Sequence, residues 1–462
     1  MRKNKVKILA LVTFCFGLLR GQNLDYNGFL SHVKQYNPIS EKAENNKEIA
    51  AAQYKSALGN YDPQISASVD NKFFNKTHYY TTGFAEIKQP LFASNYLKAG
   101  YLYGQGININ PENYTPSSGQ PFAGIETNVL QGLFFDKRRA DILKARYYSD
   151  YYSSEQKIQL NDLLHFATNA YVNFLYVAKQ NSLYAYFAEL ALQRAQGIET
   201  LALSGERASV DTVEASIFFQ ARILERQASE AELIKEYNSL LAIYKGKSEE
   251  SIVGLIPRDS LDAVFELFLK RSRDEISKVP GNPILEQYHA KQGLLETETR
   301  FRKELIKPQL NVSYNLLGTV DARTNVILNQ NNYKWGASFA FPLFLRKQRF
   351  DYKLARIATR NNSLELINKT NELNYKQRYM VETLKITEQQ VINAKKAAAF
   401  SRVLVEAEKL KFQNGESSLF LLNTREAKWL ETELKQLEYK LKYIKLMLDL
   451  IYLNGTLEYE LI

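Results

Sequence analysis

A chain of 462 residues with 45% hydrophobic side chains has room for two or three ordinary domains and is too apolar for wholesale disorder. Of its formal net charge of +10, five basic residues (Arg2, Lys3, Lys5, Lys7, Arg20) fall at the N-terminus, and the remaining charge is dispersed, which argues against a nucleic-acid partner. The single cysteine, Cys15, lies in that same stretch, so disulfide and thiol chemistry are excluded from the rest, and no later apolar run of about 18 residues offers a membrane helix.

Residues 1–21 read as a secretory signal. A basic segment precedes the apolar run Ile8 to Leu19, which is too short to span as a helix, and cleavage is expected near Gly21. The chain beyond it would carry about +5. A first unit, 22–245, opens with helices over 24–61, where Leu24, Phe29, Leu30 and Val33 share one face and Asn37-Pro38 makes a break. At Asp62-Pro63-Gln64 the period changes to two. Ile65, Ala67 and Val69 alternate with Ser66, Ser68 and Asp70, the pattern of a strand. Strand segments fill 64–132, at Thr82 to Phe92, Tyr96 to Tyr103 and Phe122 to Leu130, around a polar loop from Asn108 to Pro121. A long helix is predicted over 134–203, a break at Ser204-Gly205-Glu206-Arg207, and a return helix over 209–244.

Residues 246–281 carry Gly246, Gly254, Pro257, Pro280 and Gly281 and read as a connector, with an apolar helix around Leu261 to Phe268 and a small strand near Ser251 to Gly254. The second unit, 282–462, repeats the order: helix 283–307, strands within 309–342, a long helix 343–413 and a return helix 417–453. Its strands are expected at Leu310 to Leu317 and Lys334 to Phe341, around a polar loop from Asp321 to Asn332. From Leu343 to Gln413 there is neither Gly nor Pro, and as one helix the stretch would reach about 100 Å. Scattered charges (Arg349, Asp351, Lys353, Glu365) keep it out of lipid, so Leu345, Leu354, Leu364 and Leu366 need partner helices.

The repetition is visible in the letters. Leu133-Phe-Phe-Asp-Lys-Arg-Arg-Ala-Asp-Ile-Leu-Lys-Ala-Arg146 matches Leu343-Phe-Leu-Arg-Lys-Gln-Arg-Phe-Asp-Tyr-Lys-Leu-Ala-Arg356 at an offset of 210, which also aligns Gly205-Glu206 with Gly415-Glu416. Asn37-Pro38-Ile39 matches Asn282-Pro283-Ile284, and Pro63-Gln64 matches Pro308-Gln309, at an offset of 245. The first unit therefore carries 35 extra residues in its strand region. At roughly 9–11 residues per membrane strand, that is room for two more strands. Thirty Tyr and 25 Phe fit either a membrane-interface girdle or ordinary strand aromatics. Two to six strands cannot close a membrane barrel, which needs about eight, so strands entering lipid would have to be pooled among protomers.

With those motifs in order, the chain resembles the TolC-like outer membrane efflux proteins. The matches are the doubled Asn-Pro-Ile start, the doubled Pro-Gln strand entry, the strand exit Pro342-Leu-Phe344 and the Gly-Glu helix turns, and they span nearly the whole chain. The resemblance implies a mainly α protein with membrane β-strands: a homotrimer whose β-barrel sits in outer-membrane lipid and continues as a periplasmic α-helical barrel. It implies a passive exit duct, with no enzymatic activity and no cofactor, serving an inner-membrane pump. It implies that the turns Ser204, Gly205, Ser209 and Asn414, Gly415, Ser417 dock a periplasmic adaptor protein. Glu206, Arg207, Asp211, Glu416, Phe420 and Asn423 would then lie at the periplasmic gate.

The usual member contributes four strands per chain. Here the excess implies either six strands, and an 18-stranded barrel, or an external or lumenal hairpin. The family's acidic pattern after the second turn is also altered, because Phe420 and Asn423 stand where aspartates are usual, while Asp211 is kept. The alternative for Asp211, Ser209, Ser417 and Ser418 is plain helix capping. The basic runs at Lys137–Arg139 and Arg346–Arg349 read as a solvated helix face or as contacts to anionic groups near the membrane. His32, His78, His165 and His289 are isolated, without metal-ligand spacing. The competing functional classes are a periplasmic coiled-coil adaptor and a structural scaffold of the envelope.

Overall fold

The computed structural model describes residues 23–246, 256–275, 281–320, 326–455 and 457. The expected signal and the strand expected near Ser251 to Gly254 lie outside them. Among the described residues the helices are α1 (Tyr26–Tyr36), α2 (Pro38–Leu58), α3 (Lys137–Leu203), α4 (Ser209–Lys245), α5 (Leu261–Glu275), α6 (Pro283–Glu304), α7 (Arg346–Gln413) and α8 (Leu419–Asn454). The main strands are β1 (Gln64–Phe74), β2 (Thr77–Pro90), β3 (Asn95–Gln105), β4 (Gln120–Asn128), β5 (Gln309–Val320) and β6 (Val326–Ala340). The chain divides into two compact units, and each draws on both repeats: residues 46–154 with 284–369, and residues 1–45 with 155–283 and 370–462.

The first of these units holds one six-stranded sheet in chain order, β1 to β6. Every pairing is antiparallel. Four strands come from the first repeat and two from the second, and they meet where β4 pairs with β5, from Phe122 opposite Leu317 to Asn128 opposite Asn311. The 35-residue excess therefore builds strands of the same sheet. A two-residue hairpin turn at Asn75 and Lys76, both at positive φ (51° and 61°), joins β1 to β2, in the left-handed geometry that matches strand twist.

Residues 326–332, expected as loop, are strand. Their polar run Asn329-Gln-Asn-Asn332 hides the period-two signal, and pairing with β5 decides the outcome, with Val320 opposite Val326 after a register shift between Leu316 and Gly318.

Both long helices start three residues later than expected, at Lys137 and Arg346. Asp136 accepts from the Arg139 N–H (3.1 Å) and so caps α3 at that point. Leu345, at φ +48°, interrupts helical backbone just before α7.

The second unit is helical. On α1 the residues Tyr26, Phe29, Leu30 and Val33 are buried, an i, i+3, i+4, i+7 face, and Asp25 caps the helix by accepting from the Gly28 N–H (2.9 Å). This face packs in one core with Leu164 and Tyr171 of α3, Leu240 and Tyr244 of α4, Phe268 of α5 and Ile444, Met447 and Leu448 of α8. Asp259 ties the core together, accepting from the Tyr26 N–H (2.7 Å) and from the Tyr171 hydroxyl (3.1 Å).

The doubled Asn-Pro motif acquires a physical role here. Pro38 and Pro283 each open a helix, where the missing N–H costs nothing. The asparagine before each proline donates its side-chain N–H to the end of that repeat's own return helix. Asn37 Nδ2 reaches Ile243 O (3.2 Å), and Asn282 Nδ2 reaches Leu453 O (2.6 Å). Each repeat thus clasps its start to its finish.

Candidate functional site

Register assigns the two faces of the sheet. Ile65 pairs with Ile87, Ile87 with Ala99, Ala99 with Ala123, Ala123 with Leu316 and Leu316 with Tyr333, so these residues share one face. Along the strands that face continues through Val69, Phe73, Leu97, Tyr101, Ile125, Tyr314, Trp335 and Phe339, all exposed. The opposite face carries Ser66, Ser68, Asp70, Glu86, Lys88, Lys98, Glu126, Ser313 and Lys334.

A charge cluster occupies the opposite face. Lys88 Nζ lies 3.1 Å from Glu126 Oε1 and 4.1 Å from the Tyr96 ring centre. Lys98 pairs with Glu86 (3.9 Å) and also with Glu126. The sequence reading missed this cluster. Its signal was available: Glu86, Lys88, Lys98 and Glu126 fall on one parity of three adjacent strands. Picking it out required the register.

The helical unit carries the two turns singled out from the sequence. They are the same object. After α3, Gly205 N–H bonds Ala202 O (3.1 Å) and Glu206 N–H bonds Leu201 O (2.9 Å); after α7, Gly415 N–H bonds Phe412 O (3.2 Å) and Glu416 N–H bonds Lys411 O (2.8 Å). This is the Schellman closure, which needs left-handed backbone at the residue after the cap, and both glycines sit at φ +80°. A Cβ on either would meet nothing within 4 Å, so conformation alone demands glycine there.

Around the turns, Ser204 Oγ donates to Leu201 O (3.0 Å), and Arg207 lies over the Phe412 ring at 4.7 Å, linking the first turn to the second. Glu206, Asn414 and Glu416 are exposed. Ser209 and Asp211 do not cap α4. Its N-cap position is Ala208, without a side-chain bond, while Asp211 sits in the first turn, where a negative charge suits the helix dipole. At α8 the capping reading holds for Ser418, which accepts from the Leu421 N–H (3.2 Å), and Ser417 donates to Glu408 instead.

Phe420 is 68% exposed, whereas Asn423 is buried. Asn423 Oδ1 accepts from Arg194 Nη1 (2.7 Å), and Asn423 Nδ2 donates to Glu214 (3.4 Å). Arg194 also pairs with the buried Glu426. Arg194 thus joins α3 to α8, and Asn423 joins α8 to α4. The sequence reading did not single out Arg194, Glu214 or Glu426. Beside this network Ile198, Ala215 and Leu419 form a small core with Ala195 and Phe412. On α4, Val210, Val213, Ile217 and Leu224 make an exposed apolar stripe at helical spacing.

No family model matches the sequence, and no curated protein matches it by sequence. Solved structures do match in fold. The CmeC outer membrane channel of Campylobacter jejuni superposes with a TM-score of 0.65 at 13% identity, covering 95% of this chain and 86% of that one. The outer-membrane channel OprN gives a TM-score of 0.67 at 13% identity, covering 93% and 89%. The outer membrane protein VceC from Vibrio cholerae gives 0.64 at 12% identity, covering 93% and 96%. The chain has the fold of the TolC-like outer-membrane channels.

Proposed function

We propose that this protein is the outer-membrane exit duct of an envelope export system, a homotrimer that passively conducts what an inner-membrane pump delivers through a periplasmic adaptor. The observation that carries the reading is the sheet: one face apolar and exposed, the other polar and charged, with β1 and β6 left as open edges. In lipid an open edge leaves backbone groups without partners, so the edges must be covered. An even strand count makes β6 of one copy antiparallel to β1 of the next, the arrangement a closed up-and-down barrel requires. Three copies would supply 18 strands. At a strand spacing near 4.8 Å and a tilt of about 40°, that barrel is about 36 Å across between backbones, against about 24 Å for 12 strands.

The rest of the chain supports the same assignment. The apolar stripe on α4 and exposed residues of α7 such as Phe350, Leu354 and Ile357 require partner helices, which a ring of copies provides. In this reading the paired turns at Gly205 and Gly415 form the periplasmic tip, where Ser204, Ser209, Asn414 and Ser417 meet the adaptor. Glu206, Arg207, Asp211, Glu416 and Phe420 then border the gate, with Asn423 behind them. An adaptor or a coiled-coil scaffold would have no use for a sheet with an apolar outer face.

The test is fractionation of the cell envelope, followed by chemical crosslinking and unheated gel migration of the purified protein. An exit duct stays in outer-membrane vesicles through salt washes and runs as a heat-modifiable trimer. A protein released from membranes by salt refutes the assignment.

A further inference from the structure

The loop 106–119, between β3 and β4, lies at the strand ends opposite those that lead into helices. It is not an open hairpin loop. Thr115 is buried and holds the backbone of Gly104 twice: Gly104 N–H donates to Thr115 Oγ1 (2.9 Å), and Thr115 N–H donates to Gly104 O (3.1 Å). Gln105 Nε2 donates to Thr115 O (2.6 Å), and Asn108 N–H donates to Tyr79 O (3.0 Å). Pro111 opens a short 3-10 turn to Asn113, and with Pro116 it stiffens the loop before it folds.

The side of the sheet on which the loop lies follows from Gly104. Gly104 belongs to the series Lys98, Gly100, Leu102, Gly104, on the charged face. A Cβ added there would stand 1.9 Å from Asn113 O and 3.0 Å from Ile109 Cδ1. Asn113 and Ile109 therefore lie over the charged face rather than beyond the end of the strand. Between the loop and the sheet is a cavity of about 330 Å³, where Glu112 and Thr115 face Asp70 of β1, Phe84 of β2 and Lys334 of β6. Its lining includes residues of all six strands, so the loop sits in the concavity of the whole sheet.

We propose that loop 106–119 is a built-in size filter of the duct, folded across the lumenal face near the outer mouth and held there by Thr115 on Gly104. This rests on the reading of the charged face as lumen. It explains why the repeat that contributes extra strands also contributes this loop: more strands widen the bore, and an in-folded loop narrows it again. The solutes it excludes are bulky ones arriving from outside, whatever the state of the opposite end of the channel.

The test is labelling of a cysteine placed at Ser313, on the charged face of β5, from outside intact cells. Three versions are compared: the native loop, residues 107–118 replaced by a short Gly-Ser turn, and Gly104→Val, which should unseat the loop without removing it. With the native loop, a bulky polyethylene-glycol maleimide should react about tenfold or more slower than in either altered version, while a small maleimide reacts alike in all three. Equal rates for the bulky reagent in all versions overturn the filter and leave the channel reading intact. If even the small maleimide fails to reach Ser313→Cys in any version, the charged face is not a lumen, and the channel reading falls together with the filter.

Discussion

The Arg194–Glu426 pair allows a sharp calculation. Arg194 keeps 12% of its side-chain exposure and Glu426 5%, and both are anchored on different helices. Replacing Arg194 with Met strands a buried carboxylate and also takes from Asn423 the donor it accepts from at 2.7 Å. Breaking a buried pair on one side costs about 3–5 kcal/mol. Replacing both partners, Arg194→Met with Glu426→Met, removes the stranded charge and should come back to near neutral. The assay is hydrogen exchange of amides in residues 190–200 and 419–430 at neutral pH, where local opening sets the rate. The single variant should exchange at least about 100-fold faster in both segments, since 1.4 kcal/mol is tenfold, and the double should recover most of that. A double variant as unprotected as the single would show that packing, not charge, holds this junction. An unaffected single variant would show that the pair contributes nothing.

Three further outcomes are expected. Gly205→Ala and Gly415→Ala should each lower stability by about 1–2 kcal/mol through the left-handed backbone alone, and Asn at the same positions should cost less; thermal unfolding of the four variants checks the order. Burial holds the pKa of His32 below its usual 6.5, with its ring stacked on Tyr244 at 3.9 Å. The folded state thus disfavours the charged ring, so His32 contributes stability that is present above pH 6.5 and lost as pH falls through the folded value; His32→Phe should flatten the slope of melting temperature against pH in that window. Under the proposed duct, Lys98→Met removes the cation facing both Glu86 and Glu126, so the reversal potential of the reconstituted protein in a salt gradient should move toward cation selectivity, and an unchanged potential would count against the charged face as a lumen.

Long helices, their breaks and the duplication were legible because Gly and Pro punctuate them and because two copies of each motif can be compared. Gly205 and Gly415 could be found from letters alone, since the Schellman turn is a local event. The first strand was equally plain, as Ile65, Ala67 and Val69 alternate with serines. Residues 326–332 were not legible, because asparagines that favour turns were recruited into β6 by a partner strand. The Lys88–Glu126 cluster and the seating of loop 106–119 on Gly104 were hidden for the same reason. Both depend on which residues stand opposite one another, and the spacing of letters along one strand says nothing of that. Arg194 looked like any charged residue of a wet helix until α8 brought Glu426 and Asn423 against it.

The two asparagine clasps bear on how such a chain could arise. Asn37 is fastened to Ile243 and Asn282 to Leu453, so each half begins and ends at nearly the same place. A segment whose ends are neighbours closes on itself, so a second copy can follow it in the chain without disturbing the fold of either. Residues 246–281 join the two copies in sequence. A difference in length inside one copy is tolerated for the same reason: the two halves differ by 35 residues in their strand regions, yet both keep the clasp. The strand regions can therefore differ in length between the halves while the long helices keep their offset of 210, and two unequal copies of one unit fit in one chain.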